Sequence, residues 1–281
     1  MNSFTNIASV ETFDQKDGQI RSNGGTFSLD SNALKNPIGV EANLNVISAL
    51  VKQSEHASPT KFHHMLDMFA ARGDNMRVYT QNIDDLENRL PHLSSDLRLA
   101  KGSTTTSPTN HYANVVQMHG TINQMCCTIC QEVADMDLSL FDNGFPNCPF
   151  CMEKHLQPQL QRTRNHHPRL QARSVGILRP HVLLYGDPPD IWSALDFGEV
   201  MEFDIVQQPP DTVVVAGTNL RISQQRNFVK RLCKAAHQCS PQSTTIWLNT
   251  LDIPSPLGRA EIFDYAMKGT AEEFAQFITS L

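Results

Sequence analysis

Four cysteines carry the most specific chemistry in the sequence. Cys127-x-x-Cys130 and Cys148-x-x-Cys151 stand 17 residues apart, with Pro149 inside the second pair. That spacing lets four thiolates converge tetrahedrally on one zinc ion. Four sulfur ligands leave no open position for water, so the expected metal is structural. The competing readings are four unrelated buried thiols and a zinc ribbon that binds nucleic acid, the latter favoured by the basic stretch Lys154–Arg173 that follows. Cys126, Cys233 and Cys239 are left over. Seven cysteines is an odd count, which suits free thiols in a reducing compartment better than a disulfide framework.

Three further clusters lie where short apolar runs end in polar residues. Thr80-Gln81-Asn82-Ile83-Asp84 follows Arg77-Val78-Tyr79. Ligand-binding residues collect at such strand-to-helix junctions in α/β folds, although Asn82 or Asp84 capping free N–H groups explains the same pattern. Val115-Val116-Gln117-Met118-His119-Gly120 ends on a histidine, the usual general base near neutrality and, in the alternative, a structural side chain. Val213–Ala216 runs into Gly217-Thr218-Asn219, a small polar loop ahead of a helix, where phosphate or ribose can be cradled. With one glycine, this is an incomplete dinucleotide fingerprint.

Strands must hold these junctions. Arg77–Tyr79, Val115–Val116, Val182–Tyr185, Val213–Ala216 and Thr245–Leu248 are short, apolar and without alternation, as expected of parallel strands buried on both faces. Helical spacing recurs in Leu44, Ile47, Leu50 and Val51. It recurs again in Phe62, Met65, Leu66, Phe69 and Ala70, after Ser58-Pro59 and before Gly73. Further helices are expected through Leu86 and Leu90, around Phe228, Val229 and Leu232, and from Ala271 to Leu281. Leu93–Asn110 reads as a surface insertion. The 281 residues allow one large domain or two ordinary ones, and 40% hydrophobic with 19% charged residues argues for a folded chain. A net charge of −6 excludes a global basic field, and no apolar run approaches the roughly 20 residues that span a bilayer. The expectation is a soluble, intracellular protein.

Taken in order, these segments resemble the sirtuins, the NAD-dependent protein lysine deacylases, over most of Phe62–Leu281. The family's TQNID signature stands at Thr80–Asp84, its HG pair at His119-Gly120, and its zinc cysteines at Cys127, Cys130, Cys148 and Cys151. Leu178–Asp187 looks like the substrate strand LRPxVVxFGE, with Tyr185 for Phe and Asp187 for Glu. Gly217-Thr218-Asn219-Leu220 looks like the GTSL ribose and phosphate loop, with Asn219 for Ser. Ile246–Asn249 ends in the adenosine-side asparagine, and Ala271 stands where the family meets the adenine. Arg77-Val78-Tyr79 and Leu184-Tyr185-Gly186 look most like the fungal nuclear branch that deacetylates a lysine in a histone core.

The resemblance implies an α/β fold. A Rossmann-like parallel sheet would span 1–119 and 176–281, with a small zinc-binding domain inserted at 120–175 and a helical insertion at 27–75. It implies a deacetylase that passes the acetyl group of a lysine to ADP-ribose as nicotinamide leaves. In that reading His119 is the general base and Asn82 orients ribose and water. Gln81 and Asp84 shape the nicotinamide pocket, while Arg21, Gly217, Thr218, Asn219, Asn249 and Ala271 complete the NAD site. Val182, Tyr185 and Gly186 meet the substrate backbone as an added strand. The implied partners are NAD, one structural zinc ion and an acetylated lysine of a histone or other protein. Chromatin contact through the 154–173 basic loop, a nuclear location and no membrane association complete the expectation. One departure stands out, because the family's GAGxS loop is not found and Gln19-Ile20-Arg21-Ser22 matches only the end of its GIPDFR motif. Weak NAD binding is the consequence expected. The alternative function is a weak or inactive acyl-lysine or histone-binding protein.

Overall fold

The computed structural model describes residues 11–14, 19–22, 25–28, 37–95, 113–154, 175–184, 197–220, 222–254, 257 and 262–281. Strands β1 (Glu11–Asp14), β2 (Gln19–Ser22) and β3 (Gly25–Ser28) form an antiparallel sheet in that order. Helices α1 (Pro37–His56) and α2 (Lys61–Ala71) follow. The helical segment therefore starts at Pro37, and residue 27 belongs to a strand. Strands β4 (Val78–Thr80) and β5 (Val115–Gln117) pair in parallel. The long strand β6 (Gly120–Cys127) lies between β7 (Val133–Asp135) and β8 (Leu178–Val182), both antiparallel to it. After α3 (Phe197–Val206) comes β9 (Thr212–Ala216), then α4 (Ser223–Cys239), β10 (Thr244–Asn249), β11 (Tyr265–Lys268) and α5 (Ala271–Thr279). The sheet β11-β10-β9 is wholly parallel, so strand and helix alternate as a βαβ rhythm requires.

Three local expectations are corrected. The helix expected through Leu86 and Leu90 is a single 3-10 turn, Glu87–Arg89, because Asp85 enters the left-handed region at φ 61° and stops an α-helix from forming. Helix α2 opens at Lys61 and not at Ser58-Pro59. Both the N–H and the hydroxyl of Thr60 reach Nδ1 of His63, at 3.1 and 2.9 Å, and the Glu272 carboxylate accepts the N–H groups of Lys61 and Phe62. The strand expected at Val182–Tyr185 is instead β8, which ends at Val182 and belongs to the antiparallel sheet.

The core beside the parallel sheet is built from Val213, Val215, Val229, Cys233, Ala236, Trp247 and Phe263. Helix α4 packs on one face of β9 and β10, whereas Thr212 and Val214 of β9 point away from it and are exposed. Burial on both faces does not hold for β9. A second core joins α1 to the antiparallel sheet through Ile47, Leu50, Val51, Ile122, Val182 and Leu184. Arg77 and Tyr79 of the β4 segment both bond the buried carboxylate of Asp204 on α3, at 3.0 and 2.7 Å. Burial, reinforced by Asp204, holds the Tyr79 phenol neutral, so it stays a donor.

Candidate active site and metal centre

The four sulfurs of Cys127, Cys130, Cys148 and Cys151 lie within 4.8 Å of one another. The Cys127–Cys151 and Cys130–Cys148 Sγ separations are both 3.6 Å. Zinc–sulfur bonds of about 2.3 Å in a tetrahedron demand edges of about 3.8 Å, so the donor set fits zinc. The knuckles are shaped by N–H groups aimed at sulfur, from Ile129 and Cys130 to Cys127 Sγ and from Cys151 to Cys148 Sγ. Against the pull of burial, those N–H groups bring the Cys127 thiol down to about 7, whereas burial and then its sulfur neighbours push Cys148 up to about 12. Four thiolates need a cation to coexist. A Cβ on Gly176 would lie 2.4 Å from Cys127 Sγ, and its carbonyl accepts the Cys148 N–H at 2.7 Å, so the cradle leaves room for glycine alone.

His119 sits at the turn between β5 and β6. Its Nδ1 lies 2.9 Å from the Gln81 carbonyl, and its Nε2 lies 2.8 Å from the amide nitrogen of Gln225 on α4. A carboxamide nitrogen only donates, so Nε2 accepts and Nδ1 carries the proton. Burial lowers the pKa of the ring, against the opposing pull of the Gln81 carbonyl. His119 is therefore neutral, with its basic nitrogen turned to the α4 side. The network continues as Gln81 Nε2 donates to Gln225 Oε1 at 3.0 Å, Thr218 Oγ1 donates to Gln81 Oε1 at 3.2 Å, and Asn249 Nδ2 donates to the Thr218 carbonyl at 2.8 Å. Expected site residues from four separated segments, Gln81, His119, Thr218 and Asn249, are thus brought to one place.

The loop from Thr80 is fastened from beneath. Thr80 Oγ1 accepts the Asn82 N–H at 3.1 Å, and the Asp84 carbonyl accepts the Ser54 hydroxyl at 2.8 Å. Asp84 is fully buried and its carboxylate caps the Leu86 N–H at 3.4 Å, so the capped-turn reading applies to this residue. Behind it lies a buried pair, with His63 Nε2 3.9 Å from Glu87 Oε1. Burial, then the neighbouring Asp84 charge, push Glu87 up to about 7, and burial lowers His63 to about 4 against the pull of Glu272. Glu87, His63 and Gln225 were not singled out in the sequence. No motif marks them: His63 and Gln225 arrive across tertiary contacts from α2 and α4, and Glu87 lies just past the Thr80–Asp84 cluster.

The remaining expected residues stand elsewhere. Val182 is buried and pairs with Gly120, while the next N–H, of Leu183, donates to the His119 carbonyl at 3.0 Å. Ala271 opens α5 beside the Glu272 cap of α2, and among the described residues no bond ties it to the His119 network. Arg21 lies in β2 of the antiparallel sheet. Tyr185, Gly186, most of the 93–110 insertion and all but Lys154 of the 154–173 basic stretch fall outside the described residues. Lys154 faces Glu132 at 3.5 Å.

No helix among the described residues is long and apolar enough to cross a membrane. The chain is 31% identical over 231 residues to the NAD-dependent protein deacetylase hst4 of Emericella nidulans, covering 82% of this chain and 36% of that protein. It is 32% identical over 244 residues to the NAD-dependent histone deacetylase HST4 of Saccharomyces cerevisiae, covering 83% and 59%. The chain thus spans between about a third and three fifths of the length of these relatives. Among solved structures, a Sir2 homolog in complex with NAD superposes with a TM-score of 0.59 at 19% identity, covering 96% of this chain and 82% of that one, which places the fold as Rossmann-like and sirtuin-type. The Sir2 family model matches residues 31–224, well over half of the sequence, and the chain belongs to the Sir2 family.

Proposed function

We propose that the chain is an NAD-dependent protein lysine deacetylase acting on a histone, in the nucleus. The observation that carries this reading is the state of His119. It is a neutral imidazole with Nδ1 pinned to a backbone carbonyl and Nε2 bonded to Gln225, which is chained through Gln81 to Thr218 and Asn249. That is the arrangement of a general base, because the fixed tautomer leaves one lone pair to take a proton from a hydroxyl. The family membership and the names of the relatives support the same substrate class.

The residues present suit a dinucleotide. Among the described residues no side chain caps the first turn of α4, and that turn holds no acid, so its N–H groups favour an anionic phosphate following Gly217–Asn219. NAD would supply an electrophilic ribose carbon and nicotinamide as leaving group, and the sum of the reaction is acetyl-lysine, NAD and water giving lysine, nicotinamide and acetylated ADP-ribose. His119 takes the ribose hydroxyl proton at Nε2. Asn82, with its backbone fixed by Thr80, orients ribose and water, and Gln81 bridges the base to the Thr218 loop. Zinc held by the four cysteines supports the antiparallel sheet on which Gly120 and Val182 pair, and takes no part in the chemistry. The division into an NAD-binding unit at 1–119 and 176–281 and a zinc unit at 120–175 belongs to the same proposal.

Nicotinamide release with an acetylated histone peptide tests the reading. His119→Ala should lose about 10²–10⁴-fold in rate, and Asn82→Ala should fall with it. A His119→Ala protein as fast as the parent would remove His119 from the mechanism.

A further inference from the structure

The family resemblance assigns Gln225 no role, yet its amide nitrogen lies 2.8 Å from His119 Nε2. We propose that Gln225 is a positioning residue for His119: its carboxamide holds Nε2 as an acceptor and must be replaced there by a ligand hydroxyl before the ring takes up a proton. The inference rests on the reading of His119 as general base.

The geometry leaves little freedom in the assignment. Gln225 is buried, its Oε1 accepts from Gln81 Nε2 at 3.0 Å, and Gln81 Oε1 accepts from the Thr218 hydroxyl at 3.2 Å. Flipping either amide alone sets two N–H groups or two carbonyls face to face, and flipping both would put Gln225 Oε1 on Nε2 and demand a doubly protonated ring, which its burial opposes. With the assignment fixed, protonation at Nε2 would point an N–H at the Gln225 N–H group, so the contact opposes the charged ring. Burial and the Gln81 carbonyl are the other influences on that ring. Gln225 also lies in the first turn of α4, directly after the Gly217–Leu220 loop, and is chained through Gln81 and Thr218 to Asn249. A ligand engaging Thr218 and Asn249 therefore perturbs the same bonds that hold Gln225 on the base, which couples binding to release of Nε2.

The test is a pH titration of the His119 ring by NMR on the full chain with 15N-labelled histidine, assigned against His119→Gln. In Gln225→Asn the amide is shortened by one methylene and withdrawn from Nε2, and the titration should rise by about one unit, while the Gln81 carbonyl keeps the proton on Nδ1 in the neutral ring. In Gln225→Glu, where a carboxylate accepts from a protonated Nε2, it should rise further. Both variants keep a polar side chain, and near-ultraviolet circular dichroism reports that the fold is retained. A titration unchanged from the parent in both variants would overturn the proposal. The readout needs no turnover, so it separates this inference from the deacetylase reading: a shifted titration in a chain that releases no nicotinamide keeps the contact and removes the reaction.

Discussion

Substituting Gly120 by alanine perturbs the site through its backbone. Gly120 has φ +75°, and a Cβ there would lie 2.0 Å from the His181 carbonyl oxygen and 3.0 Å from its carbon. The obstacle is backbone held by the β6–β8 pairing of Gly120 with Val182, so it cannot swing aside as a side chain would. The left-handed conformation costs a residue with a Cβ roughly 1–2 kcal/mol. Relieving an overlap of more than about 1 Å costs a further 1–3 kcal/mol on the scale of overpacked cores. The expected loss is about 2–5 kcal/mol, a large part of the 5–15 kcal/mol typical of a folded domain. Gly73 supplies the control, with φ +81° and nothing within 4 Å of its would-be Cβ. Gly73→Ala should lose about 1–2 kcal/mol from the conformational cost alone. Urea unfolding followed by circular dichroism measures both. Equal losses in the two variants would refute the close approach of β8 to the His119 turn, and with it the placement of the base.

Three further outcomes follow from the structure. Cys148→Ser, at a fully buried ligand position, should abolish stoichiometric zinc and lower the melting temperature, and elemental analysis showing one zinc per chain in both proteins would remove the site. Glu87, raised to about 7 in the fold, contributes stability below its ordinary value of 4.5 that is lost as pH rises through 7; His63, lowered to about 4, contributes stability above 6.5 that is lost as pH falls through 4. The two slopes oppose each other between about 4.5 and 6.5, so Glu87→Gln should gain on the parent by up to about 3 kcal/mol as pH climbs from 4.5 to 7, and identical urea midpoints for the two proteins at pH 5 and 8 would contradict the burial of this carboxyl. Glu272→Ala should cost about 1 kcal/mol by uncapping α2, and a larger effect at high salt than at low salt would exclude the charge–dipole part of that account.

The sequence made the zinc centre readable because its ligands are local pairs whose spacing alone dictates convergence. The strand ends at Thr80, His119 and Gly217 were readable for a related reason, since each motif is contiguous and sits where an apolar run stops. What escaped was set by tertiary geometry. The left-handed turn at Asp85 cut short a helix that the spacing of Leu86 and Leu90 suggested. Val182 was assigned to the parallel sheet from its apolar neighbours, but its pairing with Gly120 is decided by the chain reversal after His119. The one-sided burial of β9 contradicts an unbroken apolar run, Val213–Ala216, that reads as covered on both faces. Gln225 and His63 reach the site from α4 and α2, and no periodicity reports which residue of a helix faces a distant loop.

In the proposed reaction one site joins NAD to an acetyl-lysine and moves the acetyl group onto ADP-ribose. A histone peptide carrying a 13C-labelled acetyl-lysine, incubated with the chain and saturating NAD, tests it by mass spectrometry. The account predicts one labelled acetyl-ADP-ribose for each nicotinamide released and each lysine freed. Peptide that stays acetylated while bound to the chain, or label recovered as free acetate without any need for NAD, would contradict it.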